Sequence, residues 1–86
     1  MKLYFIRFTS KVKGTWDYPK YPDTLEEIKK LAKYSKRVNR RFNDLQEVLN
    51  HRDLTHDEWN ELDNLWDMDD YENNVIFDNL EIVEFN

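Results

Sequence analysis

Apolar residues recur at three- and four-residue intervals between Asp23 and His51, and that spacing predicts one long amphipathic helix. The apolar positions are Ile28, Leu31, Val38, Phe42, Leu45 and Leu49, with Leu25 and Ala32 filling in and Ser35 as a polar gap. The opposite side carries Lys29, Lys30, Lys33, Lys36, Arg37, Arg40 and Arg41. Several of these sit three or four apart, so like charges face each other at a cost of roughly a few tenths of a kcal/mol per pair. A stripe that opposes itself in this way calls for a partner. Asp23 with Glu26, or Thr24 with Glu27, has the spacing to satisfy the orphan amides at the start. Run unbroken to Asn50, the helix would be roughly 40 Å long. A compact chain of this length has a radius of gyration of only about 12 Å. The helix therefore projects, bends near Tyr34–Asn39, or pairs with a second copy.

Leu54-Thr55-His56-Asp57-Glu58-Trp59 is the sharpest local signal in the chain. Thr55 and Glu58 form a capping box, and Leu54 can staple onto Trp59. A second helix follows from His56 to about Met68, with Trp59, Leu62, Leu65 and Trp66 on its inner face. Its outer face carries Asp57, Asn60, Glu61, Asn64 and Asp67, with Asp63 at the flank and Asp69, Asp70 and Glu72 beyond. Carboxylates near a helix C-terminus oppose the macrodipole, so Asp67, Asp69 and Asp70 are placed against stability. They invite a functional explanation.

Lys2–Phe8 is β-branched and aromatic enough to be a strand, with Leu3 and Phe5 on one side and Tyr4, Ile6 and Phe8 on the other. Apolar groups on both sides suit a central strand covered twice, or an aromatic surface. Thr9–Pro22 is expected to connect, with a short extra strand near Thr15–Tyr18. Val75–Phe77 and Leu80–Phe85 read as strands, joined through Asp78–Asn79 as a tight turn or continuous across it. The expected fold is α+β: a small antiparallel sheet, from the N-terminal strand plus a C-terminal strand or hairpin, packed against two helices. At 86 residues, 1–86 form a single domain.

Charge changes the picture more than composition does. The net value of −5 conceals twelve Lys/Arg against four Asp/Glu in Met1–Asn43, or +8. Asp44–Asn86 holds one Lys/Arg, Arg52, against fourteen Asp/Glu, or −13. The halves either neutralise each other or face different partners. No cysteine is present, which removes disulfides and thiolate metal sites and fits a reducing compartment. No apolar run approaches a membrane span, and that of Met1–Phe8 is too short for a signal peptide. The expectation is a cytoplasmic protein. One Gly and one Ala against nine Asn point to an AT-rich genome.

Little in the chain supports catalysis. Ser10 and Ser35 are the only serines, and neither sits in a nucleophile motif. His51 and His56, near Asp53 and Asp57, match no standard metal spacing. Asp67-x-Asp69-x-Tyr71 begins like a calcium loop, but Glu72 and Asp78 stand where a Gly and a Glu are required. A single Gly permits no phosphate-binding loop. No enzyme activity, cofactor or metal is expected.

Binding remains. Asp57, Glu61, Asp63, Asp67, Asp69, Asp70 and Glu72 spread carboxylates that can imitate nucleic-acid phosphates and occupy a basic groove on another protein. Trp16 and Tyr18 are further candidate anchors. The alternative site is basic: Lys29, Lys33, Lys36, Arg37, Arg40 and Arg41, with the basic and aromatic loop 11–21, would bind nucleic acid directly. Net acidity argues against that alternative. A structural homo-oligomer paired along the long helix is the third possibility, leaving monomer and homodimer both open.

In size, lack of cysteine, AT-rich bias, aromatic and acidic content and missing catalytic residues, the chain resembles small phage-encoded inhibitors, anti-CRISPR proteins and DNA mimics among them. The resemblance is one of style across the whole chain and carries no motif. It implies a phage protein acting in the host cytoplasm on a nuclease or polymerase, by blocking its nucleic-acid channel. The basic stripe departs from the purely acidic version of that pattern.

Overall fold

A computed structural model describes residues 1–71 and 73–86. The order is β1 (Leu3–Ser10), β2 (Gly14–Asp23), α1 (Leu25–Leu49), α2 (His56–Asp70) and β3 (Asn79–Phe85). The three strands form one antiparallel sheet in the order β2-β1-β3, so the fold is α+β with β1 central. Among the described residues, no helix is long and apolar enough to cross a membrane. The chain divides into two compact units, Met1–Tyr34 with Phe77–Asn86, and Ser35–Ile76.

In the first unit, β1 alternates as its sequence predicts. Ile6 and Phe8 are fully buried and pack with Ile28 and Ala32 of α1 and with Phe77. Tyr4, Trp16, Tyr18, Leu31 and Leu80 close around this core. Phe8 is the hub, stacked on Trp16 at 5.2 Å between centroids and tilted against Phe77 at 4.9 Å. The other side of the sheet carries Leu3, Phe5 and Arg7, which pair across the strands with Phe85, Val83 and Glu81. Arg7 also grips Asp17 on β2, Nε donating to Oδ1 at 2.9 Å.

The largest departure from expectation is β2. Thr9–Pro22 is not a mere connection with a short extra strand; Gly14–Pro22 together with Asp23 form a full ten-residue edge strand. The hairpin turns through residues 11–13, where buried Ser10 Oγ accepts from the amides of Val12 and Lys13. Gly14 closes the turn at φ +87°, a conformation side chains with a Cβ rarely adopt. The register then slips: Ile6 pairs with Tyr18, but Tyr4 pairs with Asp23. The extra residues hold Pro19 and Pro22, tolerated because a bulged edge needs no donor there.

Val75–Phe77 is not a strand, which corrects the sequence reading. It is a largely buried loop, two of whose amides are satisfied by a side chain: Asp69 Oδ1 accepts from Val75 N and Ile76 N at 3.0 and 3.1 Å. Asn39 Nδ2 donates to the Val75 carbonyl at 2.6 Å. Asp78–Asn79 is likewise not a turn between two strands. Asp78 N donates to Thr9 O, its Oδ2 accepts from Lys11 N, and β3 begins only afterwards.

The helix at 25–49 is continuous, without a break at Tyr34–Asn39. Of the two possible caps, Thr24 is the one used. Its Oγ1 accepts from Glu27 N at 3.3 Å, while Asp23 Oδ1 accepts from Thr24 N at 2.7 Å. In the second unit Val38, Phe42 and Leu45 of α1 pack with Leu62 and Leu65 of α2, and Leu54 and Val75 complete the core. The sheet's core therefore takes its helical residues from α1, and α2 contributes to the other core.

Candidate functional site

The capping box forms as the sequence predicts. Thr55 Oγ1 accepts from Glu58 N, and Glu58 Oε1 accepts from Thr55 N at 2.9 Å. Glu58 also takes a two-pronged grip from Arg52, Nη1 to Oε1 at 2.9 Å and Nη2 to Oε2 at 3.0 Å. The Arg52 hydrogen bond, reinforced by the Thr55 amide, draws the Glu58 pKa down from 4.5 to about 2. A carboxylate held this way stabilises the fold fully above pH 4.5, and that contribution disappears as pH falls from 4.5 towards 2. Acid titration followed by circular dichroism should show this loss, and Glu58→Gln should flatten the curve across that window. An unchanged curve would mean the pairing is not formed in solution.

The acidic candidates divide into two groups. Glu61 is held by Arg41, whose Nε and Nη2 both donate to it, and this hydrogen bonding lowers the Glu61 pKa. Asp69 is the loop acceptor described above. These two serve the fold. Asp57, Asp63, Asp67 and Asp70 are exposed and form no ion pair with another described residue. Glu72 lies outside the described residues. Asp57 sits in the first turn of α2, where a negative charge complements the helix dipole. Asp63, Asp67 and Asp70, spaced four and three apart, line one exposed face, and the last two oppose the dipole.

Beside them stands a feature that the sequence reading misplaced. Trp59 and Trp66 do not lie wholly on the inner face; they are 42% and 46% exposed. The buried face of α2 is narrower, built on Leu62 and Leu65. Trp59 lies one turn before Asp63, and Trp66 lies one turn before Asp70, so indoles and carboxylates alternate on adjoining surface. Trp66 keeps one edge on the core, T-shaped against Phe42 at 5.3 Å.

Trp16 and Tyr18, the earlier anchor candidates, are half-buried and pack on the core of the first unit. Lys13 Nζ sits 4.5 Å from the centroid of the Trp16 ring, and Lys20 Nζ sits 5.7 Å from that of Tyr21. Two of the lysines in segment 11–21 are thus placed over its own aromatic rings. On α1, all six basic candidates are exposed. Arg41 is engaged by Glu61. Lys29, Lys33, Lys36 and Arg40 form no ion pair with another described residue. Their four-three-four spacing places them on one line of the helix, about 16 Å long. Exposed Arg37 is adjacent.

Among the described residues, no group of three or more His, Cys, Asp or Glu is placed to hold a metal ion. His51 pairs with Glu47 at 3.0 Å. Comparison of the chain with protein-family models, curated proteins and solved structures finds no match.

Proposed function

We propose that this chain is a non-enzymatic binding protein that engages a basic, nucleic-acid-binding groove of a host protein through the exposed face of α2. One observation carries the reading. Asp63, Asp67 and Asp70 stand unpaired among the described residues, beside two half-exposed tryptophans on the same helix. Stability alone does not explain that face, because two of its charges oppose the helix dipole and its indoles leave apolar surface in water. Carboxylates complement a cationic groove and direct the approach, while tryptophans supply the anchors that hold most interfaces together. In this reading the protein is an inhibitor of anti-CRISPR or DNA-mimic style, phage-encoded and acting in the host cytoplasm. The testing assay is displacement of labelled duplex DNA from a panel of RNA-guided nucleases and from RNA polymerase. Loss of DNA retention by a panel member supports the reading, and full retention by every member counts against it.

A second reading is favoured by Lys29, Lys33, Lys36 and Arg40, which line α1 without an ion pair to another described residue. They suit the phosphates of nucleic acid bound directly. Fluorescence anisotropy of labelled single- and double-stranded DNA and RNA separates the two readings. Direct binding would weaken with salt at a logarithmic slope of roughly −0.9 per duplex phosphate contacted. No change in anisotropy at low salt would eliminate it.

A further inference from the structure

The two edges of the sheet are built differently. The β2 edge is guarded by its register slip, by Pro19 and Pro22, and by Lys20. These are standard means by which a strand edge avoids pairing with another chain. The β3 edge has none of them. Asn79–Phe85 contains no Pro, Gly or Lys, and it pairs with β1 over seven consecutive positions without a shift. Among the described residues, no strand neighbours its outer side. Ile82 and Phe85, on opposite faces of this strand, are 37% and 53% exposed. Of its two acidic residues, one is paired within the chain and the other has a cationic residue opposite it on β1, itself already bound to Asp17. Glu84 pairs with Lys2 at 3.8 Å, and Glu81 stands opposite Arg7.

We infer that the β3 edge pairs antiparallel with the same edge of a second copy of this chain, extending the sheet from three strands to six. The sequence of β3 selects the register. With the two-fold axis at Ile82, the two Ile82 side chains face each other, Glu81 opposes Val83, Leu80 opposes Glu84, and Asn79 opposes Phe85. No Glu then faces a Glu. Moving the axis to Glu81 or Glu84 sets two Glu directly opposite each other, where like charges are unfavourable, and moving it to Val83 leaves the more exposed Ile82 opposite Glu84. Charge and apolar exposure therefore agree on one arrangement, and it is self-complementary, as a two-fold interface must be. This inference is independent of the α2 face and stands or falls without it.

The absence of cysteine makes the test clean. Light scattering across a wide concentration range should show the mass rising from 10.7 kDa towards twice that value. Ile82→Lys, at a site already partly exposed, should hold the protein at 10.7 kDa while leaving its circular dichroism unchanged. Ile82→Cys should cross-link rapidly under mild oxidation, since opposed Cβ atoms lie about 4.5–5.5 Å apart and a disulfide spans about 3.5–4.5 Å. Glu84→Cys, opposite the second copy's Leu80, should cross-link at least about tenfold more slowly, because its own counterpart lies beyond direct-pair range. Three results would each overturn the inference. They are a monomer at every concentration, which leaves the edge to a foreign strand; a dimer indifferent to Ile82→Lys, as pairing along α1 would give; and equal cross-linking at the two positions.

Discussion

Truncating Phe8 to Ala is expected to lower folding stability by about 3–5 kcal/mol. The side chain is fully buried, stacked on Trp16 and tilted against Phe77, and it faces Leu80 across the β1–β3 pairing. Removing the ring loses its transfer energy and the two aromatic contacts, and it leaves a void that strands on either side cannot close. For 86 residues, a total stability of roughly 4–13 kcal/mol is expected. Phe8→Ala should therefore remove a large share of it and shift the urea midpoint accordingly. Phe85→Ala supplies the control. That ring is on the other side of the sheet and 53% exposed, so its loss should cost distinctly less. Equal shifts for the two variants would mean that the sheet does not bury the side assigned to it.

Why β1 and α1 were legible, and β2 was not, follows from what each leaves in the sequence. In β1, alternation puts Tyr4, Ile6 and Phe8 on one side at a period of two, a purely local signal. In α1, the three- and four-residue spacing and the Thr24 cap are local too. The β2 strand lacks such a mark because its register slip interrupts the alternation, and prolines normally argue against a strand. Val75–Phe77 misled for the opposite reason. Three apolar residues in a row look like a buried strand, but the Asp69 carboxylate takes the amide bonds that a neighbouring strand would take. That contact joins residues six and seven positions apart and leaves no periodic trace.

The candidate site was legible in charge and not in exposure. Counting acids identified the segment around α2, but Glu61 and Asp69 look no different in sequence from Asp63 and Asp67. Only the fold brings Arg41 to Glu61 and the 75–76 amides to Asp69. The tryptophans were misjudged because a periodic pattern reports direction and not how far the core reaches. Leu62 and Leu65 fill the contact with α1, so the larger indoles to the side remain half in water.

Reversing Asp63, Asp67 and Asp70 to Lys together should produce two effects of opposite sign. Each reversal adds two charges, so the net charge moves from −5 to +1 and the exposed face of α2 changes sign. Affinity for a cationic groove should fall at least about 100-fold, since complementary contacts become repulsive and association loses its steering. Stability should not fall with it. None of the three pairs with another described residue, and cations in the last turn suit the helix dipole, so Asp67→Lys and Asp70→Lys should each gain about 0.3–1 kcal/mol. Urea unfolding and DNA displacement on the same protein therefore read the two effects separately. A variant that unfolds more easily would show these carboxylates to be structural after all. One that keeps its stability and still displaces DNA as well as the parent would move the binding surface elsewhere, and Trp59→Ala then tests the other half of the face. A Trp anchor is worth at least about 2 kcal/mol, or roughly a 30-fold loss of affinity.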